Sequence, residues 1–272
     1  MTTETQHLRR DGLGALAYDV QGEGPLLLLV PGMGDLRGTY RFLAPVLVAA
    51  GYRVATTDLR GHGDSEAHFP AYGDIATASD IADLIRELGG PAVVVGNSMA
   101  AGAAVIAAAE HPELVSGLVL VGPFVRDPGV GVVKTLLFRL LMARPWAVAA
   151  WKAYLPTLYA GAQPADFDEY RDAVVASMRR PGYARAFSLT TRTEHATAEA
   201  KLPAVSAPTL VVMGEKDPDF PNPRAEAEWV AAALRGEVAM APEAGHYPHA
   251  QQPERVASAV LGFLRTLAGQ RA

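Results

Sequence analysis

Along this chain the apolar residues come in short unbroken runs, separated by longer stretches in which they recur at helical spacing. The run at residues 26–30 stops at Pro31-Gly32-Met33-Gly34, as a buried strand does when it ends in a glycine-assisted turn. Residues 40–50 then predict a helix closed by Gly51. Residues 53–57 predict a second short strand that delivers Asp58-Leu59-Arg60-Gly61-His62-Gly63. Helical spacing returns at residues 77–88, with Gly89-Gly90 as its stop. Residues 92–95 are wholly apolar, residues 99–109 predict an alanine-rich helix, and residues 118–121 form another apolar run ending at Gly122-Pro123. A strand with no polar face has to be covered on both sides, which is the situation of a parallel sheet between two layers of helices.

From residue 124 to 203 the rhythm changes: no strand-like run appears, and Pro145, Pro156, Pro164 and Pro181 are expected to break a helical pattern into short pieces. We read this segment as a helical cap inserted into an α/β core made of residues 1–123 and 204–272. The alternation resumes with a strand at residues 209–213, a helix at 224–234, a short strand near Val238 and a closing helix at 254–267. With 272 residues, half of them hydrophobic and 19% charged, one fold carrying an insertion is the expected organisation.

Charge and cysteine content narrow the possible roles. A net charge of -5 lacks the basic excess that grips phosphate backbones, so no nucleic-acid partner is expected. The absence of cysteine removes disulfides, thiolate metal sites and a cysteine nucleophile, and it fits a reducing compartment. The first twelve residues contain no apolar signal core, so a soluble, cytoplasmic protein is expected. Residues 130–160 are rich in Leu, Ala, Trp and Val. Lys134, Arg139, Arg144, Pro145 and Lys152 interrupt them well short of the roughly 20 apolar residues of a membrane span.

Candidate chemistry centres on Gly96-Asn97-Ser98-Met99-Ala100, which joins the apolar run at 93–95 to the helix after it. Small residues two places either side of a serine, between strand and helix, are what a sharp elbow needs to push the hydroxyl out above a sheet. Alone the pentapeptide reads equally well as an ordinary helix cap; its strand-to-helix setting favours a nucleophile. A serine hydroxyl needs a base and an orienting acid. Of seven histidines, His246 is the expected base because it follows the last strand and precedes the last helix. His249 reads as a solvent-exposed loop residue, His62 as a brace of its glycine-rich turn, and His7, His68, His111 and His195 as surface or packing residues. For the acid, Glu215, Asp217 and Asp219 compete after the strand at 209–213; Asp217 is favoured, with Asp219 as the alternative. The oxyanion donors are expected to be the main-chain N–H groups of Met33, beside Gly32, and of Met99.

Taken together, VPGMGD at 30–35, DLRGHGDS at 58–65, GNSMAAG at 96–102, GEKD at 214–217 and GHYPHAQQPE at 245–254 resemble the α/β-hydrolase superfamily, whose triad order matches Ser98, Asp217, His246. The resemblance implies the α/β-hydrolase fold: a mostly parallel sheet flanked by helices, with the inserted helical cap. Three positions depart from it. Pro31 stands where many members carry histidine, Ala100 replaces a glycine, and Gln251 replaces a frequent glutamate. The implied activity is acyl transfer to water on a small-molecule substrate, without metal or cofactor. A carboxylic ester with an apolar acyl or alcohol part is favoured, while thioester, lactone, carbon–carbon bond and perhydrolase chemistry share the triad. A serine nucleophile argues against dehalogenase-like and epoxide-hydrolase-like members, and a non-catalytic ligand binder is the reading from another class. Gly32, Phe138, Met142, Trp146, Trp151 and Tyr159 are candidates for substrate binding, the last five lining an apolar pocket, with the competing reading that those five only pack the cap.

Overall fold

The structure, a computed structural model, describes residues 4–10, 12, 14–127 and 131–269. Eight strands form one sheet: β1 (Gln6–Arg10), β2 (Gly14–Gln21), β3 (Leu26–Val30), β4 (Arg53–Thr57), β5 (Ala92–Asn97), β6 (Val115–Val121), β7 (Thr209–Gly214) and β8 (Glu237–Ala241). Their order is β1-β2-β4-β3-β5-β6-β7-β8, with β2 antiparallel to both neighbours and every other pairing parallel. Helices fill the connections: α1 (Leu43–Ala49), α2 (Asp74–Glu87), α3 (Met99–Glu110), α4 (Val132–Leu141), α5 (Ala147–Leu158), α6 (Phe167–Arg179), α7 (Tyr183–Thr190), α8 (Ala196–Lys201), α9 (Pro223–Leu234), α10 (Pro248–Gln251) and α11 (Pro253–Gly269). This is the α/β-hydrolase fold.

The wholly apolar strands divide by parity, because successive side chains leave a strand on opposite faces. Leu28, Val30, Val94, Leu118, Leu120, Val211 and Met213 turn to the layer of α2, α3 and α9. Leu27, Leu29, Val93, Val95, Val119, Val121, Leu210 and Val212 turn to α1 and α11. The alanines of α3, buried almost without exception, let that helix lie close on the sheet beneath α2.

Three expectations need correction. The sequence reading passed over β1 and β2: β1 is a mostly exposed edge strand carrying Arg9 and Arg10, so it shows no apolar run. Pro156 does not break a helix, for it lies in the last turn of α5. The helix expected at residues 40–50 is a 3-10 turn at Arg37–Tyr40 followed by α1. The apolar stretch placed at 130–160 begins at Val130, outside the described residues. Within them no helix is long and apolar enough to cross a membrane.

Between β6 and β7 lie α4 to α8, whose inward side chains form a separate apolar cluster around Trp151, Leu155, Phe167, Tyr170 and Phe187. Polar ties fasten these helices to the sheet layer. Arg41 forks onto Asp166 at 2.6 and 2.7 Å, and His195 bonds Asp74 at 2.7 Å in a buried pair linking α8's start to α2.

The edge strand is fastened in the same way. Asp80 on α2 takes the guanidinium of Arg60 at 2.6 and 2.7 Å and also pairs with Arg10 of β1, with all three groups nearly buried. Removing the carboxylate leaves the nearly buried Arg60 without a carboxylate partner and Arg10 with Asp83 alone, so Asp80→Ala is expected to cost about 3–5 kcal/mol. Urea unfolding followed by circular dichroism measures it; a loss under about 1 kcal/mol, the scale of an exposed pair, would contradict this account.

Candidate active site

β5 ends in a turn too tight for ordinary backbone. Ser98, between Asn97 and the first residue of α3, has φ +57° and ψ -124°, a conformation that non-glycine residues adopt at an energetic cost of order 1–3 kcal/mol. The turn is held from both sides: the Ser98 N–H donates to the Val121 carbonyl at 2.8 Å, and its own carbonyl accepts from Ala101 at 3.0 Å. Ala100, one of the three departures, is fully buried with its methyl accommodated.

Two strands away, the turn after β7 carries Asp217, and the loop after β8 carries His246. His246 Nδ1 lies 2.7 Å from Asp217 Oδ2 and 3.8 Å from Asp219 Oδ2, and both members of the closer pair are almost wholly buried. The other oxygen of Asp217 accepts the Asp219 N–H at 3.0 Å, while Asp219 accepts the Tyr154 hydroxyl from α5. The structure thus brings Asp217, and not Asp219, into hydrogen-bond contact with the imidazole. Burial alone would lower the His246 pKa; the charge and hydrogen bond of Asp217, with Asp219 and Asp35 nearby, outweigh it and raise the pKa well above the ordinary 6.5. Burial pushes Asp219 upward, against the pull of His246. His246 Nε2 is buried and has no hydrogen-bond partner among the described residues, the Ser98 hydroxyl included.

The loop after β3 lies against the elbow: a β carbon on Gly32 would stand 2.9 Å from Ser98 Cβ. The Gly34 N–H is taken by His62 Nε2 at 2.9 Å, whereas among the described residues no acceptor takes up the N–H of Met33 or Met99. His62 Nδ1 meets the Arg60 carbonyl at 2.9 Å, so the ring carries its proton on Nδ1 and accepts at Nε2. Burial holds His62 neutral, its pKa lowered to about 4. It braces its own turn and, beyond that, the loop after β3.

The remaining histidines divide sharply. His249, expected in solvent, is fully buried: it lies on α10 against the Tyr40 ring and meets the Thr39 hydroxyl at 2.9 Å. Burial, helped by the nearby positive charge of His246 and Arg41, pushes its pKa down to about 3. His7 and His68 are exposed, His111 is half-buried, and His195 is the buried partner of Asp74.

Of the apolar candidates, Met142, Trp151 and Tyr159 are buried in the cluster of α4 to α8, with Phe138 packed at its edge. Trp151 reaches furthest, its indole N–H donating to the Gly34 carbonyl at 2.7 Å. Trp146 stands apart, half-exposed, with its indole on the Leu140 carbonyl.

Asn97, Phe124 and Asp35 carry no role in the sequence pattern, and Gln251 enters it only as a departure. Asn97, fully buried, donates to the carbonyls of Val121 and His246 at 3.0 and 3.3 Å and so ties the elbow to the loop of His246; an amide ending an otherwise apolar strand is its sequence signal. Gln251 accepts from Gly245 at 2.8 Å and donates to Ala160 and Ala162 at 3.0 and 2.9 Å. A glutamate there could accept but not donate when ionised, which gives the departure a physical reason. Phe124 sets its ring edge-on to His246 at 5.9 Å and packs on Phe220 at 4.9 Å, forming an apolar wall beside the base. Asp35 is buried, accepts the Tyr170 hydroxyl, and has its pKa raised by burial to about 6 despite hydrogen bonds that oppose the shift.

Comparison with known proteins accords with this geometry. Residues 27–259 match the model of the Alpha/beta hydrolase family. The chain is 28% identical over 276 residues to 2-(acetamidomethylene)succinate hydrolase of Mesorhizobium japonicum, covering 94% of each chain. It is 26% identical to sn-1-specific diacylglycerol lipase ABHD11 of Mus musculus, over 88% of this chain and 81% of that one. Among solved structures, a thermophilic esterase from Thermogutta terrifontis superposes with a TM-score of 0.82 at 25% identity, over 97% of this chain and 99% of its own. Given a match that spans the sheet, the elbow and the loop of His246, the chain belongs to the alpha/beta hydrolase family and is a hydrolase.

Proposed function

We propose that the chain is a serine hydrolase that cleaves a small carboxylic ester with an apolar acyl or alcohol part, using Ser98, His246 and Asp217. The observation that carries this reading is His246 Nε2: a buried nitrogen with no partner, on a ring whose other nitrogen is fixed by a carboxylate. In the first step the Ser98 Oγ–H proton passes to Nε2 as Oγ bonds to the ester carbonyl carbon. The resulting oxyanion is held by the N–H groups of Met33 and Met99, assisted by the positive end of α3. Collapse expels the alcohol, which takes the proton from His246. Water, deprotonated by the same nitrogen, then releases the acid and restores Ser98. Asp217 fixes the tautomer and stabilises the imidazolium throughout.

In this reading residues 124–203, which hold the helices between β6 and β7, act as a cap over the α/β core. The apolar surroundings of the site support an apolar substrate: Phe124 and Phe220 beside the base, and Trp151 over the loop of Met33. The esterase and lipase names of the proteins it resembles agree with an ester.

A fluorophosphonate probe is expected to label the wild-type protein covalently and to leave Ser98→Ala unlabelled; an unmodified wild-type protein in intact-mass spectra would end this reading. Asp217→Asn is expected to lower kcat on a nitrophenyl ester by about 10⁴-fold, as when the imidazole loses its orienting carboxylate. Asp219→Asn should cost far less, and the reverse ranking would transfer the acid role to Asp219.

The pH profile follows from the raised pKa. Nε2 accepts a proton only when His246 is neutral, so kcat/KM should fall on acidification with a midpoint above 6.5, and Asp217→Asn should move that midpoint down. A profile flat from pH 5 to about 8 would be inconsistent with His246 as base.

Gly122 offers a steric test. Its φ is +51°, and a β carbon there would lie 3.0 Å from His246 Nδ1 and 3.2 Å from Asp217 Oδ2. Gly122→Ala is therefore expected to displace the pair and lower kcat/KM on the order of 100-fold, with unchanged far-ultraviolet circular dichroism. Full activity in a folded variant would show that the site does not need this pair in place.

A further inference from the structure

α4 presents the wrong face to water for a helix of a globular core. Leu136, Leu137, Leu140 and Leu141 are 66, 53, 56 and 47% exposed, and Trp146 just beyond the helix is 48% exposed. Positions i, i+1, i+4 and i+5 share one side of a helix, so the four leucines form a continuous stripe. Phe138 and Met142 occupy the opposite side, packed inward. The only other exposed large apolar side chains among the described residues, Val46 and Ile75, lie on α1 and α2. The apolar surface is gathered in one place, which marks an interaction site.

Charge identifies the partner. Residues 128–165 contain Lys134, Arg139, Arg144 and Lys152 and no Asp or Glu, in a chain whose net charge is -5. Arg139 lies on α4 and reaches Glu194 at 3.3 Å, both side chains remaining substantially exposed; Arg144 is exposed two residues before Trp146. A leucine stripe bordered by cations, with a tryptophan at its margin and its indole N–H already bonded to the Leu140 carbonyl, can enter apolar surroundings without stranding a donor. A second copy of this chain suits the face poorly. A two-fold contact would bring Arg139 and Arg144 of each copy toward the same cations of the other, and like charges so placed repel. A negatively charged bilayer surface neutralises them instead.

We propose that the exposed face of α4, with Trp146, docks the protein on the surface of an anionic phospholipid bilayer. The helix lies in the interfacial plane with its leucines in the acyl boundary and Arg139 and Arg144 at headgroup level. Its inner face connects to the catalytic region: Phe138 meets the Tyr154 ring edge-on, and Tyr154 donates to Asp219 beside His246. Binding itself requires no turnover, so it is measured apart from hydrolysis.

The test is flotation of the full chain with vesicles of mixed phosphatidylglycerol and phosphatidylcholine, and with phosphatidylcholine alone. The floated fraction should be at least about tenfold greater on the anionic vesicles, and should fall as salt rises toward about 1 M. Leu137→Glu with Leu140→Glu should abolish flotation while keeping the wild-type circular dichroism and thermal midpoint. Arg139→Gln with Arg144→Gln should weaken it on anionic vesicles only. Wild-type protein that stays unbound, that binds both vesicle types equally, or that binds as well after the double glutamate change would overturn the proposal. So would a lipid-free dimer, seen by light scattering, that the glutamate variant dissociates.

Discussion

Both main-chain polar groups of Gly34 are held by side chains from opposite layers, and the site depends on that double grip. His62, from the turn after β4, accepts its N–H; Trp151, from α5, donates to its carbonyl. Neither side chain can be exchanged freely. The imidazole must be neutral and protonated at Nδ1 to accept at Nε2, which burial ensures, and the indole must stand close enough that a β carbon on Gly34 would overlap its ring at 2.5 Å. With Gly34 so fixed, the loop that lays Gly32 against Ser98 is held in place. A loop that would otherwise be free to turn is set by the core below and the helices above.

The same economy governs the charges. Three carboxylates, buried Asp217 and Asp35 and partly buried Asp219, lie near enough to His246 to raise its pKa, yet only Asp217 bonds the ring. The other two are each given a tyrosine hydroxyl, Asp219 by Tyr154 and Asp35 by Tyr170. A phenol donating to a carboxylate is held in its protonated form, and the pKa values of both tyrosines are raised by burial and by those carboxylates. The hydrogen-bonding capacity of the two carboxylates is thereby directed away from the imidazole while their charge still favours its protonated form.

Much of this was legible before any coordinates. β3 has the bounds that its apolar run announces, because a strand buried on both faces has no polar position to blur its ends. Ser98, Asp217 and His246 each follow a strand, and the parallel sheet delivers all three to its carboxyl edge. Properties that depend on which segment crosses which were illegible. β1 is held by Arg10 on Asp80, seventy residues away, and not by an apolar face of its own. His249 looks like a loop residue because it falls between the last two predicted elements, but the Tyr40 ring that covers it comes from the other end of the chain. Glu215, Asp217 and Asp219 could not be ranked with certainty without the placement of Tyr154 on α5.

Asn97 and Gln251 hold the loop of His246 in place beside Ser98. His246 sits on a loop whose main chain could shift by an ångström with little local resistance, and such a shift would be costly to chemistry that relies on near contact. The loop is tied at three points, each to a different element: the His246 N–H to Leu158 at the end of α5, the His246 carbonyl to Asn97 at the elbow, and Gly245 to Gln251. Gln251 extends the tie to Ala160 and Ala162, so the chain leaving α5 and the chain carrying the base are held by one amide. His246 is thus fixed relative to Ser98 through Asn97, which precedes it. It is fixed relative to the loop after β3 through α5, whose Trp151 holds Gly34. The helices between β6 and β7 are in this sense part of the frame that sets these side chains.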